Sequence, residues 1–237
     1  MSRPSTFVLV HGAWHGGWCW PRVAERLRNA GHRVFTPTLT GVGERRHLLT
    51  PAVDAETHVR DVLELLEAEE LEDVVLAGHS YAGIVITGVA ARARARLRQL
   101  VYLDTLLVHD GESWAEAFAP EVAAARRKSV VLTNGVQTFP PPDPVIYGFA
   151  DAADTEWVRR RLTPHPFAPY DQKQRWGGPV GNGVPKVYVD CTAPALEVLV
   201  TMKQARLAGW EVIALATGHD LMVSAPEQTA QILLRYA

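Results

Sequence analysis

The segment Val75–Gly83 reads "VLAGHSYAG", an apolar run that ends in Gly-His-Ser-Tyr-Ala-Gly and is followed by the helical stretch "IVITGVAARA". A strand, a tight turn of small residues and a helix around one serine form the context of a nucleophile elbow. Such a turn strains the backbone at Ser80, lifts its Oγ clear of the sheet and leaves the amide of Tyr81 free to donate to an oxyanion. Ala82 stands where the strict G-x-S-x-G pattern has its second glycine, and Gly83 follows it; alanine is still small enough for close strand–helix packing.

A serine hydroxyl is a weak nucleophile without a base in hydrogen-bond reach. The late segment "VIALATGHDLMVSAPEQ" supplies one, because a strand ends near Leu215, a short loop carries His219, and the last helix starts at Ser224 or Pro226. A loop after the final strand lies at the carboxyl edge of the sheet, the edge to which the elbow points, so His219 is the expected base. The base in turn needs a carboxylate to hold its tautomer. Asp104, at the end of the strand "LVYLD", is the first choice, with Asp190 at the end of the penultimate strand and Glu197 in a helix beyond it as alternatives. Asp220, the immediate neighbour of His219, is expected at the helix approach or on the surface.

The early segment "FVLVHGAWHGGWCW" completes the constellation. After the first strand the chain turns at His11 and Gly12, so the amide of Ala13 should meet that of Tyr81 as an oxyanion hole. Gly12, Trp14 and Trp114 are expected to border the substrate. Of the nine histidines, His11 and His79 are read as braces of the two turns, and most of the others as loop or helix-surface residues.

These side chains need a scaffold, and short apolar runs alternating with helical patterns predict a parallel sheet of about six strands built from βαβ units. The strands are expected at Phe7–Val10, Arg33–Thr36, Val74–Ala77, Leu100–Leu103, Lys186–Val189 and Glu211–Leu215. Pro21 suits a first helical position with Gly31 past the helix end, and Asp54 suits an N-cap for "AETHVRDVLELLEAEEL". The alternation breaks from 105 to 184, where prolines and aromatic rings predict a helical cap inserted over the sheet of one α/β domain spanning residues 1–237.

Composition bounds the partners. The chain has 237 residues, 47% of them hydrophobic, and a formal net charge of −2, which gives no reason to expect nucleic acid. The basic run "RARARLR" at Arg92–Arg98 is read as a solvated helix end and loop. Two cysteines, Cys19 and Cys191, lack metal-ligand spacing and fit a reduced, cytoplasmic protein. The N-terminal apolar run is too short for a membrane span. The expected partner is a small-molecule ester with no metal or organic cofactor, and a homodimer is left open.

The three motifs at these distances resemble the α/β-hydrolase superfamily, and within it the branch of methyl-salicylate-type esterases and hydroxynitrile lyases with their bacterial esterase relatives. The resemblance runs from Thr6 to about Tyr236 and implies a helical cap and serine carboxylesterase chemistry through an acyl-enzyme. The lyases of this branch carry threonine at the position of Gly12 and lysine at that of Asp220, so the resemblance favours ester hydrolysis, and the aromatic residues of the cap with Trp14 suggest a small apolar or aromatic substrate. Other readings on the same site are a cofactor-free oxygenase, a carbon–carbon bond hydrolase, or a non-catalytic binding protein. One departure bears on the acid: relatives place an aspartate shortly after a Cys-Thr pair, and here "DCTAPALEVL" has Ala193, Pro194 and Ala195 there.

Overall fold

Successive side chains of a strand point to opposite faces, and in this chain both faces are apolar. In β1 (Thr6–Val10), Val8 and Val10 enter one core while Phe7 and Leu9 enter another. The same division holds in β3 (Val74–His79), with Val74 and Leu76 opposed to Val75 and Ala77, and in β4 (Leu97–Leu103), with Leu100 and Tyr102 opposed to Val101 and Leu103. Strands buried on both sides read as unbroken apolar runs, which is why they are visible in the sequence.

The computed structural model describes residues 4–196, 207 and 209–237. Its main sheet has six parallel strands in the order β2-β1-β3-β4-β8-β9, where β2 is Arg33–Phe35, β8 is Lys186–Cys191 and β9 is Glu211–Leu215. The chain leaves β1 towards one edge and returns to pair β3 on its other side, so the crossover direction reverses between these two strands. Connections diverge there and leave a crevice at the carboxyl ends, where ligands of such sheets bind.

Helix α1 (Pro21–Asn29) and the C-terminal helix (Pro226–Leu234) contribute to one core, and α2 (Ala55–Ala68) and α3 (Ala82–Ala93) to the other. Local signals set their ends. Pro21 is the first residue of α1, and Gly31, at φ 91°, lies just past its end. Asp54 caps α2 by accepting from the Thr57 amide at 2.8 Å, while the Thr57 hydroxyl accepts from the Asp54 amide.

The basic run divides differently from its prediction, since Leu97 and Arg98 already belong to β4. Three of its four arginines meet counter-charges: Arg92 pairs with Glu56, Arg96 with Glu72 and Arg98 with Asp73.

Between β4 and β8 the chain forms α4 (Pro120–Lys128), α5 (Ala152–Arg159) and the short α6 (Ala168–Asp171). The predicted cap was helical, but this segment also holds a three-stranded antiparallel sheet of β5 (Val131–Thr133), β6 (Val136–Phe139) and β7 (His165–Pro166). Asn134 and Gly135 join the first two at φ 50° and 81°, the left-handed pair that a two-residue hairpin turn requires. The Asn-Gly dipeptide was the sequence signal for it. Among the described residues no helix is long and apolar enough to cross a membrane.

Candidate active site

Left-handed backbone gathers at the crevice. Trp14 (φ 66°) follows β1, Ser80 (φ 53°) follows β3 and Asp104 (φ 49°) follows β4, each costing on the order of 1–2 kcal/mol for a side-chain-bearing residue. Since β1, β3 and β4 are neighbours in the sheet, their turned ends converge on one place.

Ser80 is held by its own amide, which donates to the Leu103 carbonyl at 3.1 Å. The glycines around it leave no room for anything larger. A Cβ on Gly78 would lie 2.8 Å from the Ala82 carbonyl oxygen, and one on Gly83 would lie 2.9 Å from Thr105 Cβ. The elbow therefore tolerates Ala82, which is completely buried, but not a side chain one residue later.

The His219 loop enters from the far end of the chain. Its amide donates to the Tyr147 carbonyl at 3.0 Å, and Gly218 precedes it because a Cβ there would lie 2.1 Å from that same oxygen. His219 Nδ1 lies 2.6 Å from Asp104 Oδ2. A carboxylate only accepts, so this nitrogen carries the proton and Nε2 is left as the basic atom of a neutral ring. Asp104 is wholly buried, its other oxygen accepting from the Cys191 amide at 3.2 Å. Asp190 ends one residue short of Cys191 in β8, and Glu197 lies outside the described residues.

Ser80 and His219 both line a cavity of about 390 Å³, together with Trp14, Tyr81, Trp114 and Tyr147. Gly12 does not line it, contrary to expectation. A Cβ at Gly12 would meet His79 Nδ1 at 2.9 Å and Ser80 Cβ at 3.0 Å, so this glycine lets the first turn press against the elbow. Among the described residues no backbone or side-chain oxygen accepts from the amides of Ala13 or Tyr81, which leaves both donors available to a ligand.

Fixed imidazole tautomers hold these turns. His11 Nε2 accepts from the Leu39 amide at 3.0 Å, so its Nδ1 carries a proton and donates to the Gly12 carbonyl at 2.8 Å. His79 Nε2 donates to the His219 carbonyl at 3.0 Å. Burial drives both rings down to about 3, against 6.5 for an ordinary histidine, and keeps them neutral.

Three histidines read as loop or surface residues are buried instead. His58 Nε2 donates to the Thr40 carbonyl at 2.9 Å, so its Nδ1 accepts from the Tyr81 phenol at 2.8 Å and anchors the residue after the elbow serine. Its place was legible, since His58, Val62 and Leu66 share one face of α2. His165 lies against Tyr81 with ring centroids 4.7 Å apart. His15 faces Asp220, which was expected near the surface and is completely buried. Asp220 is drawn inward because the only other hydrogen-bonding group of His15 already serves the Ala13 carbonyl. Nothing in the sequence around Asp220 marks this partner, which is 205 residues away.

His79, His219 and Asp220 place ligand-type atoms within 4.8 Å of one another. Three of their atoms are committed, His219 Nδ1 to Asp104, His79 Nε2 to the His219 carbonyl and Asp220 Oδ2 to His15, while His79 Nδ1 and Asp220 Oδ1 have no hydrogen-bond partner among the described residues.

A parallel doubly flanked sheet with an elbow serine, a histidine after the last strand and an acid after the strand next to the elbow places this chain in the α/β hydrolase family, whose sequence model matches residues 7–232. The chain belongs to that family. Among its relatives, a carbendazim hydrolyzing esterase of Nocardioides sp. (strain SG-4G) is 43% identical, over 97% of this chain and 98% of that protein. An extracellular α/β-hydrolase from a Paenibacillus species shares the fold at a TM-score of 0.85 with 24% identity, each chain 99% covered. The Arabidopsis methylesterase MES16 does so at a TM-score of 0.76 with 22% identity, each chain 98% covered.

Proposed function

We propose that the protein is a serine carboxylic ester hydrolase acting on small esters with an apolar or aromatic group. The observation that carries this reading is the Asp104–His219 hydrogen bond, which leaves the basic nitrogen of His219 in the cavity that Ser80 also lines. The esterase among the relatives, matched over nearly the whole of both chains, supports it.

Ser80 Oγ attacks the ester carbonyl while His219 Nε2 takes its proton, and Asp104 stabilises the imidazolium that forms. The carbonyl oxygen becomes an oxyanion held by the amides of Ala13 and Tyr81, each contributing roughly 10²- to 10³-fold in rate. His219 then gives its proton to the leaving alkoxide, the alcohol departs, and an acyl group remains on Ser80. Water repeats the sequence with His219 again as base, which releases the acid and restores the serine. Tyr81 has two tasks, since its amide faces the oxyanion while its phenol is tied to His58.

The test is covalent. A fluorophosphonate should label Ser80 in active protein, and Ser80→Ala should lower kcat on an aryl acetate by on the order of 10⁶-fold. Labelling of another residue, or ester turnover surviving in Ser80→Ala, would overturn the reading.

A further inference from the structure

The cavity beside Ser80 is walled largely by rings and prolines, yet one cation enters it. Arg126, in the last turn of α4, has its guanidinium carbon 4.3 Å from the ring centroid of Phe118 and 6.0 Å from that of Trp114. Stacking fixes the plane of the guanidinium but satisfies none of its five N–H donors. Among the described residues Arg126 makes no ion pair and no side-chain hydrogen bond, whereas Arg127 next to it pairs with Asp171. Burial works against the Arg126 charge, lowering its pKa, but a guanidinium does not shed its proton in proteins. Among the described residues nothing compensates the positive charge that Arg126 brings to the cavity.

Tyr147 stands on the same wall, but its phenol oxygen is shut away from solvent and has no hydrogen-bond partner among the described residues. The unmet donors that face this apolar space are therefore those of the guanidinium, and they call for a ligand that brings a negative acceptor with it.

We propose that Arg126 forms an anion subsite within the ester pocket, so that preferred substrates carry a carboxylate on the arm remote from the scissile bond. The proposal rests on the ester hydrolase reading for its reaction and on this geometry for its specificity. The planar fork of the guanidinium matches a carboxylate through two parallel hydrogen bonds. Rings elsewhere on the wall accept the carbon skeleton between carboxylate and ester. Without the cation such a pocket would reject an anion, so Arg126 determines selectivity rather than general affinity.

The experiment compares matched esters on each variant, using the neutral ester as the internal reference. kcat/KM is measured for 4-nitrophenyl hemiesters of four- to six-carbon dicarboxylic acids and for 3- and 4-acetoxybenzoate, each against its methyl-masked counterpart. In the native protein at least one anionic member should exceed its masked counterpart, and that ratio should fall roughly 10- to 100-fold in Arg126→Gln, the range of a charge-assisted hydrogen bond. Arg126→Lys should retain part of it, and Tyr147→Phe should leave it unchanged. Ratios that are equal in native protein and Arg126→Gln would overturn the subsite while leaving the esterase intact. If the native protein turned over none of these esters, the reaction would be wrong, and calorimetric titration with benzoate and benzamide would still decide the subsite. Benzoate should then bind at least about tenfold tighter to native protein than to Arg126→Gln, with benzamide indifferent; equal benzoate binding would refute it.

Discussion

His15 Nε2 lies 2.9 Å from Asp220 Oδ2 with both residues removed from solvent. His15 Nδ1, 2.8 Å from the Ala13 carbonyl, must carry a proton, and Nε2 can face a carboxylate favourably only if it carries one too. Burial would depress His15, but the charge and hydrogen bond of Asp220 outweigh it and raise the ring above 6.5. The His15 charge likewise overcomes the burial that would raise Asp220, and holds the carboxyl below 3.8. A buried ion pair thus sits under the loop that carries the Ala13 amide.

Removing one partner of such a pair strands the other. Asp220→Ala should therefore destabilise the fold by about 3–5 kcal/mol. Asp220→Asn should cost clearly less, because its amide can donate to Nε2 of a neutral His15. The signs set the pH window. The His15 share is complete below 6.5 and fades as pH rises through its raised folded value; the Asp220 share is complete above 3.8 and fades as pH falls through its lowered one. Denaturant titrations across pH should show the gap between native protein and Asp220→Asn greatest between about 4 and 6.5 and shrinking at alkaline pH. A gap that grew with pH would contradict the ion pair.

Four other histidines act in the opposite sense. Burial lowers His11 and His79 to about 3, lowers His58, and lowers His165 well below the ordinary value. Below 6.5 the unfolded chain binds protons that these native rings refuse, so stability falls with acid, each ring contributing up to ~1.4 kcal/mol per pH unit. Unfolding at pH 5.5 should take up roughly three to four protons from this source, measurable by calorimetry in buffers of different ionisation enthalpy. Negligible uptake would mean that the rings are already charged in the native state.

Asp104→Asn keeps the shape of the residue that holds His219 Nδ1, but presents an amide that can donate and favours the wrong tautomer. Its kcat on an aryl acetate should fall by up to about 10⁴-fold with the melting transition retained. Asp190→Asn should do far less. Loss of activity in Asp190→Asn alone would move the orienting role there.

Gly12→Thr introduces the residue that lyases of this branch carry. Its Cβ would fall 2.9 Å from His79 Nδ1 and 3.0 Å from Ser80 Cβ, so His79 must shift, and His79 supports the His219 carbonyl. Ester kcat/KM should drop roughly 100-fold, as expected when a reacting group is displaced by about an ångström, and mandelonitrile should yield no cyanide. Unchanged ester turnover would show that the two turns are less closely coupled than the contacts imply.

The chain's own order of residues determined the sheet and the elbow. Strands with both faces buried are continuous apolar runs, Asp54 and Pro21 mark helix starts, and a serine between small residues after such a run leaves few alternatives to a sharp turn. That Ser80, Tyr81 and His219 reach one cavity was legible, because each follows its own strand end and local chain direction fixes which edge of the sheet it reaches. The tertiary structure alone set Asp104 rather than Asp190 against His219, since both lie at the ends of parallel strands and the chain turns at Asp104 with a positive φ. It alone buried His15 against Asp220 and left Arg126 facing a ligand cavity. These outcomes rest on distance between residues remote in sequence and on desolvation, which exists only once the layers have closed; no local pattern of residue types encodes either.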